Sequence, residues 1–142
     1  MRYVLDASVA LKWVLDEPEI DRALFLLKEY QLGAVELLAP DIFPVEIAHV
    51  LSKGFRQNKL TAAEADAHLA SLLTTLPQLV PSIDLLPRAF AIAQETKTAL
   101  YDALYLALGE SENAAVVTAD LKLAKLPYKV IAIENLPYPA DL

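Results

Sequence analysis

The sequence has no cysteine. Disulfides, thiolate nucleophiles and thiolate-bound metals are thereby excluded, and a reducing cytoplasm is the expected compartment. Glycine is scarce too, with only Gly33, Gly54 and Gly109. No glycine-rich phosphate loop can be built from three such scattered residues, which removes nucleotide folds of the P-loop and dinucleotide-binding kinds. Histidine occurs only at His49 and His68, neither near a suitable nucleophile, so a Ser-His-Asp triad has no base. Positive charge is also short: 12 Lys and Arg against 19 Asp and Glu give a formal net charge of −7. Strong nonspecific binding to nucleic acid, which depends on neutralising phosphates, is disfavoured for such a chain. No apolar run approaches the roughly 20 residues that span a bilayer. The N-terminal run is cut by Asp6 and Lys12, too soon for a signal peptide.

What is abundant is apolar. The 142 residues are 56% hydrophobic, enough for one domain over 1–142 with a real core. The excess suits a thick core or a covered interface, so an oligomer or an obligate partner is expected.

Short β-rich runs alternate with helical patterns. Strands are expected at Arg2 to Asp6, Leu37 to Ala39, Leu79 to Pro81, Ala114 to Thr118 and Lys129 to Ile133. Helices are expected from Val9 to Leu15 with Ser8 as cap, and from Pro18 to Gln31 with Ala23, Leu24, Leu27 and Tyr30 on one stripe and Gly33 as the stop. Further helices follow from Asp41 to Phe55, from a Thr61–Glu64 capping box to Leu76, from Leu85 to Thr96, from Ala99 to Glu112 and from Asp120 to Leu126. The tail from Asn135 to Pro139 reads as extended. Strands separated by helices predict an α/β domain with a parallel sheet and right-handed crossovers. In such sheets ligands bind beyond the carboxyl ends of the strands.

Against that background four acidic residues stand out. Asp6 closes the run Tyr3-Val4-Leu5. Glu46 interrupts Ile42 to Leu51, Asp102 interrupts Ala99 to Leu108, and Asp120 follows Ala114 to Val117. Apolar neighbours imply burial, and buried carboxylates are costly unless paired or metal-bound. Each position also has an ordinary explanation. Asp6 or Ser8, and Thr118 or Asp120, suit helix caps. Glu46 suits a solvated helix face or a hydrogen bond to His49. Asp102 suits a helix start capped by Thr98, although it stands late for that role. Lys12 reads as a surface lysine or a phosphate contact. Lys53, Arg56 and Lys59, like Lys122, Lys125 and Lys129, read as solvated ends or as phosphate contacts.

Together the four carboxylates are more informative than apart. Clustered, they would repel one another and raise each other's pKa unless a cation lay among them. Hard oxygen ligands without cysteine select Mg²⁺ or Mn²⁺ over Zn²⁺. Such an ion activates water and stabilises charge on a phosphate, so metal-assisted phosphodiester hydrolysis is the natural reaction class. A haloacid-dehalogenase phosphatase would want a second Asp where Ser8 stands.

Four segments carry a resemblance: Val4-Leu5-Asp6-Ala7-Ser8-Val9, Pro44-Val45-Glu46-Ile47, Tyr101-Asp102-Ala103-Leu104-Tyr105-Leu106-Ala107 and Val117-Thr118-Ala119-Asp120-Leu121. In this order and spacing the chain resembles the PIN domain from about Arg2 to Ile131, and within it the ribonuclease toxins of the VapC type. The resemblance implies a PIN-like three-layer α/β/α fold with a short parallel sheet of about five strands flanked by helices. It implies Mg²⁺- or Mn²⁺-dependent cleavage of RNA, with Asp6, Glu46, Asp102 and Asp120 at the metal and Thr118 and Ser8 as supporting hydroxyls. It also implies a homodimer and a small antitoxin whose basic tail crosses the acidic site, without a membrane. The rival expectation is a non-catalytic PIN-like binding module, whose acidic pocket only receives a basic partner peptide.

Overall fold

The computed structural model describes residues 1–139. Its centre is a sheet of five parallel strands: β1 (Arg2–Leu5), β2 (Glu36–Pro40), β3 (Gln78–Val80), β4 (Ala115–Thr118) and β5 (Val130–Ala132). The strand order is β3-β2-β1-β4-β5. Every residue of β4 is buried, as are Tyr3, Val4 and Leu5 of β1. Successive side chains of a strand point to opposite faces, so unbroken burial means that both faces are covered. That is the expected three-layer arrangement.

The helices are α1 (Ala7–Ala10), α2 (Ile20–Gln31), α3 (Phe43–Arg56), α4 (Ala62–Leu73), α5 (Ser82–Thr96), α6 (Leu100–Glu112) and α7 (Leu121–Ala124). The most buried is α6, in which every residue from Ala103 to Gly109 is in the core. It packs against β1, β2 and β4, with α5 alongside it. Gly109 makes this approach possible: a Cβ there would stand 2.8 Å from the Ala114 carbonyl oxygen and 3.0 Å from Val116 Cγ2.

Helix ends follow their local chemistry. Gly33 has φ +78°, and its N–H reaches the Tyr30 carbonyl at 3.0 Å while that of Ala34 reaches Glu29 at 2.9 Å, which closes α2. The Thr61–Glu64 capping box is formed in both directions, at 2.9 and 3.1 Å.

Several local expectations are corrected. The helix after β1 is capped by Asp6 rather than Ser8, and after Ala10 it tightens into a 3₁₀ turn over Leu11–Trp13 instead of running on to Leu15. Pro18 precedes α2, whose buried face carries Ala23 and Leu26 while Leu24 is exposed. Asp41 does not open α3. Its carboxylate accepts hydrogen bonds from the Ser82 N–H and hydroxyl at the start of α5. Asn135 ends a 3₁₀ turn over Ile133–Asn135 rather than an extended tail. Lys12 is neither a surface residue nor a phosphate contact. It is buried, with Nζ donating to the Pro18 carbonyl at 2.8 Å and lying 3.8 Å from Glu17, so it ties down the loop before α2.

The strand order places a switch point at β1. The chain leaves β1 towards β2 on one side, and β4 returns on the other. A crevice opens beyond the carboxyl ends of β1 and β4, where open α/β sheets take their ligands. No helix among the described residues is long and apolar enough to cross a membrane.

Candidate active site

Asp6 sits at the floor of this crevice. Register pairs Leu5 with Val117, and the Asp6 N–H bonds to the Val117 carbonyl at 3.0 Å, so the two strands end side by side. Thr118 therefore faces Asp6. Its hydroxyl donates to Asp6 Oδ2 at 2.6 Å, and the Ser8 hydroxyl donates to the same oxygen at 2.6 Å. Both hydroxyls also accept backbone protons: Thr118 Oγ1 from Asp120 N–H and Ser8 Oγ from Ala119 N–H, each at 3.0 Å. The network fixes one carboxylate oxygen and the turn that carries Asp120.

The other three carboxylates arrive from separate elements. Glu46 lies in the first turn of α3, Asp102 in the first turn of α6, and Asp120 is the N-cap of α7, accepting the Lys122 N–H at 2.9 Å. With Asp6 as the N-cap of α1, each of the four stands at a helix N-terminus. Partial positive charge there favours an anion. All four line one open cleft of about 710 Å³.

Burial is less uniform than their apolar neighbours implied. Asp6 is buried, Glu46 and Asp102 are partly buried, and Asp120 is exposed at the rim. Each of the last three begins a helix, where the chain has just left the core. Asp102 is also nearer its helix start than expected, because Ala99 rather than Thr98 is the cap.

The electrostatics are those of unneutralised acids. Burial pushes the Asp6 carboxyl up, against the two hydroxyls, and the charge of Asp120 pushes it further. Burial raises Glu46 to about 7, with Asp6 and Asp102 contributing and a hydrogen bond opposing. Asp102 rises to about 6 through burial and the charges of Asp6 and Asp120. Among the described residues none of the four has a Lys, Arg or His in an ion pair.

The hydrogen bond on Glu46 comes from a residue that sequence reasoning passed over. Tyr105 is fully buried, and its hydroxyl donates to Glu46 Oε1 at 2.6 Å. Burial raises the phenol's pKa, and the Glu46 charge raises it further, so Tyr105 remains a donor. Its signal was available: a tyrosine in the core stretch of an apolar helix needs a polar partner. The partner expected for Glu46, His49, is exposed and makes no such bond.

The donor set suits a hard divalent cation. It offers carboxylate oxygens, no competing sulfur, mutual repulsion that a cation would relieve, and no resident positive side chain. Among the described residues no three of them are drawn together tightly enough to chelate an ion unaided. An ion here would retain part of its water shell, as Mg²⁺ commonly does.

The chain is similar to known proteins over most of its length. The PIN domain family matches residues 3–128. Ribonuclease VapC9 of Mycobacterium tuberculosis is 31% identical over 121 residues, which cover 85% of this chain and 87% of that protein. The crystal structure of PAE2754 from Pyrobaculum aerophilum superposes with a TM-score of 0.70 at 25% identity, covering 96% of this chain and 95% of the other. VapBC2 from Rickettsia felis, solved bound to a DNA fragment from their promoter, gives a TM-score of 0.66 at 16% identity over 92% and 98% of the two chains, a likeness of fold alone.

Proposed function

This chain belongs to the PIN-domain family, and from that premise we propose that it is a metal-dependent ribonuclease, the toxin of a toxin–antitoxin pair. One observation carries the reading: Asp6, Glu46, Asp102 and Asp120 line a single cleft whose described lining includes no lysine or arginine. Asp6, Asp102 and Asp120 would hold Mg²⁺ or Mn²⁺ directly or through water, and Glu46 would complete the set. When bound, the ion stabilises charge on the scissile phosphate and favours ionisation of water.

The chain's own groups do the positioning. Thr118 and Ser8 hold one Asp6 oxygen and so fix the orientation of the carboxylate that lines the cleft. Tyr105 fixes the Glu46 carboxylate on the α3 side, where it orients the attacking water. The partners are single-stranded RNA, a small antitoxin with a basic tail that enters the cleft, and a second copy of the chain. A single domain carries the function.

The test is incubation of purified protein with short single-stranded RNA in Mn²⁺ and in EDTA. Scission in Mn²⁺ and none in EDTA is expected. Asp102→Asn should abolish scission while leaving the fold as stable or more so, since it removes a repelled charge. Intact RNA in Mn²⁺, with retained binding of a basic peptide, would favour the non-catalytic module.

A further inference from the structure

A molecule carrying −7 must hold an RNA strand somewhere other than on its overall field. Four of its cations are already committed. Arg2 pairs with Glu36 and Glu112, Lys12 is buried on Pro18, Arg22 binds Glu19, and Arg88 binds Glu95 and Glu110. Lys53 and Lys59 are different: both are exposed, and among the described residues neither has an ion-pair or side-chain hydrogen-bond partner. Both line a second groove of about 420 Å³, and Val50 lines this groove and the acidic cleft alike. The two depressions therefore meet along α3.

The helix itself makes the link. Glu46, His49, Val50, Lys53 and Gln57 follow at helical spacing, so they form one stripe along α3. At about 1.5 Å per residue, Lys53 stands roughly 10 Å beyond Glu46, within reach of a phosphate close to the scissile one. Tyr101 lines the acidic cleft together with this stripe and is 62% exposed. An exposed aromatic in such a place gives an unpaired base a stacking surface. Asp16 and Glu17 also line the second groove. Phosphates avoid carboxylates, while base amino groups donate to them, so the two lysines suit the backbone and the two carboxylates suit bases.

We infer that the groove bearing Lys53 and Lys59 is the track for the RNA segment flanking the scissile phosphate, with Tyr101 as the stacking platform at the cleft. This rests on the ribonuclease reading of the cleft. Lys53 and Lys59 contact backbone phosphates and are binding residues, not catalytic ones.

The test is the Lys53→Ala/Lys59→Ala double variant, with Arg2→Ala/Lys28→Ala as a charge-matched control outside the groove lining. Cleavage of a short single-stranded RNA is followed in Mn²⁺ across a salt series. The expected result is a KM raised roughly tenfold at low salt with kcat unchanged. The slope of log kcat/KM against log salt should shrink by about 1.4, or roughly 0.7 per lost phosphate contact on a single strand. The control should behave as wild type, and Lys53→Arg/Lys59→Arg should keep a KM and salt slope close to wild type. An unchanged KM and salt slope in the double variant, or an equal loss in the control, overturns the inference. If wild type does not cleave at all, the ribonuclease reading fails by itself. Equilibrium binding of the same RNA in the same buffer then decides the groove: weaker binding by the double variant supports it, and binding equal to wild type overturns it.

Discussion

Thr118 has two tasks in one hydroxyl: it donates to Asp6 and accepts the backbone proton of Asp120. Thr118→Val keeps the shape and removes both. The buried Asp6 Oδ2 then keeps only the Ser8 donor and the Asp120 N–H loses its acceptor, so a loss of about 1–3 kcal/mol in urea unfolding is expected. Thr118→Ser should recover most of it. Tyr105→Phe is a different experiment, because it removes only the donor to Glu46. That bond holds the Glu46 pKa down, so its removal lets the pKa rise and leaves more protons to displace on metal binding. Mn²⁺ affinity measured by calorimetry at neutral pH should fall about tenfold, about 1.4 kcal/mol, while the melting temperature in EDTA changes little. Equal Mn²⁺ affinity in the variant would remove Tyr105 from the site.

At the scale of elements, the site is a meeting of helix starts. Positive ends of α1, α3, α6 and α7 sit beneath four carboxylates, which makes the cluster tolerable before any ion arrives. This depends on how closely α6 lies on the sheet. Gly109→Ala would press a methyl group against the Ala114 carbonyl and Val116, and no flexible side-chain end is there to yield to the carbonyl contact. A destabilisation of about 1–3 kcal/mol is expected in denaturant unfolding. Gly54→Ala is a useful contrast, since its nearest neighbour is the Leu60 side chain, and it should cost less.

For the whole molecule, pH and metal act on stability through the same groups. Glu46 and Asp102 have folded-state pKa values of about 7 and about 6, above their ordinary 4.5 and 3.8, and Asp6 is shifted the same way. The folded state thus keeps protons that the unfolded chain releases. Their contribution is complete below the ordinary values and is lost as pH rises through about 6 and then about 7. Asp41 and Glu64 are shifted down, so their contribution fades only on the acid side. In EDTA the melting temperature should fall between pH 4.5 and about 7, and Glu46→Gln should flatten that fall. Mn²⁺ should stabilise most at the upper end, where the carboxylates are ionised. A wild-type decline matched by Glu46→Gln would assign the effect to other groups.

Much of this protein was legible in its residues. The parallel α/β order, the five strands and the Thr61–Glu64 capping box follow from periodicity and cap chemistry, which act between neighbours in the chain. So does the singling out of Asp6, Glu46, Asp102 and Asp120, since a carboxylate among apolar residues is conspicuous wherever the chain goes. Lys12 and Tyr105 were not legible in this way, and for Lys53 the residues offered only a choice between a solvated end and a phosphate contact. Whether a lysine is buried under a loop, a phenol meets a glutamate 59 positions away, or a groove continues past Val50 depends on how α3, α6 and the loop before α2 pack on the sheet. Local rules therefore determined which chemistry the chain carries. Only the tertiary fold decided which groups meet, because hydrogen bonds and charge repulsion act over a few ångströms of space and are indifferent to separation along the chain.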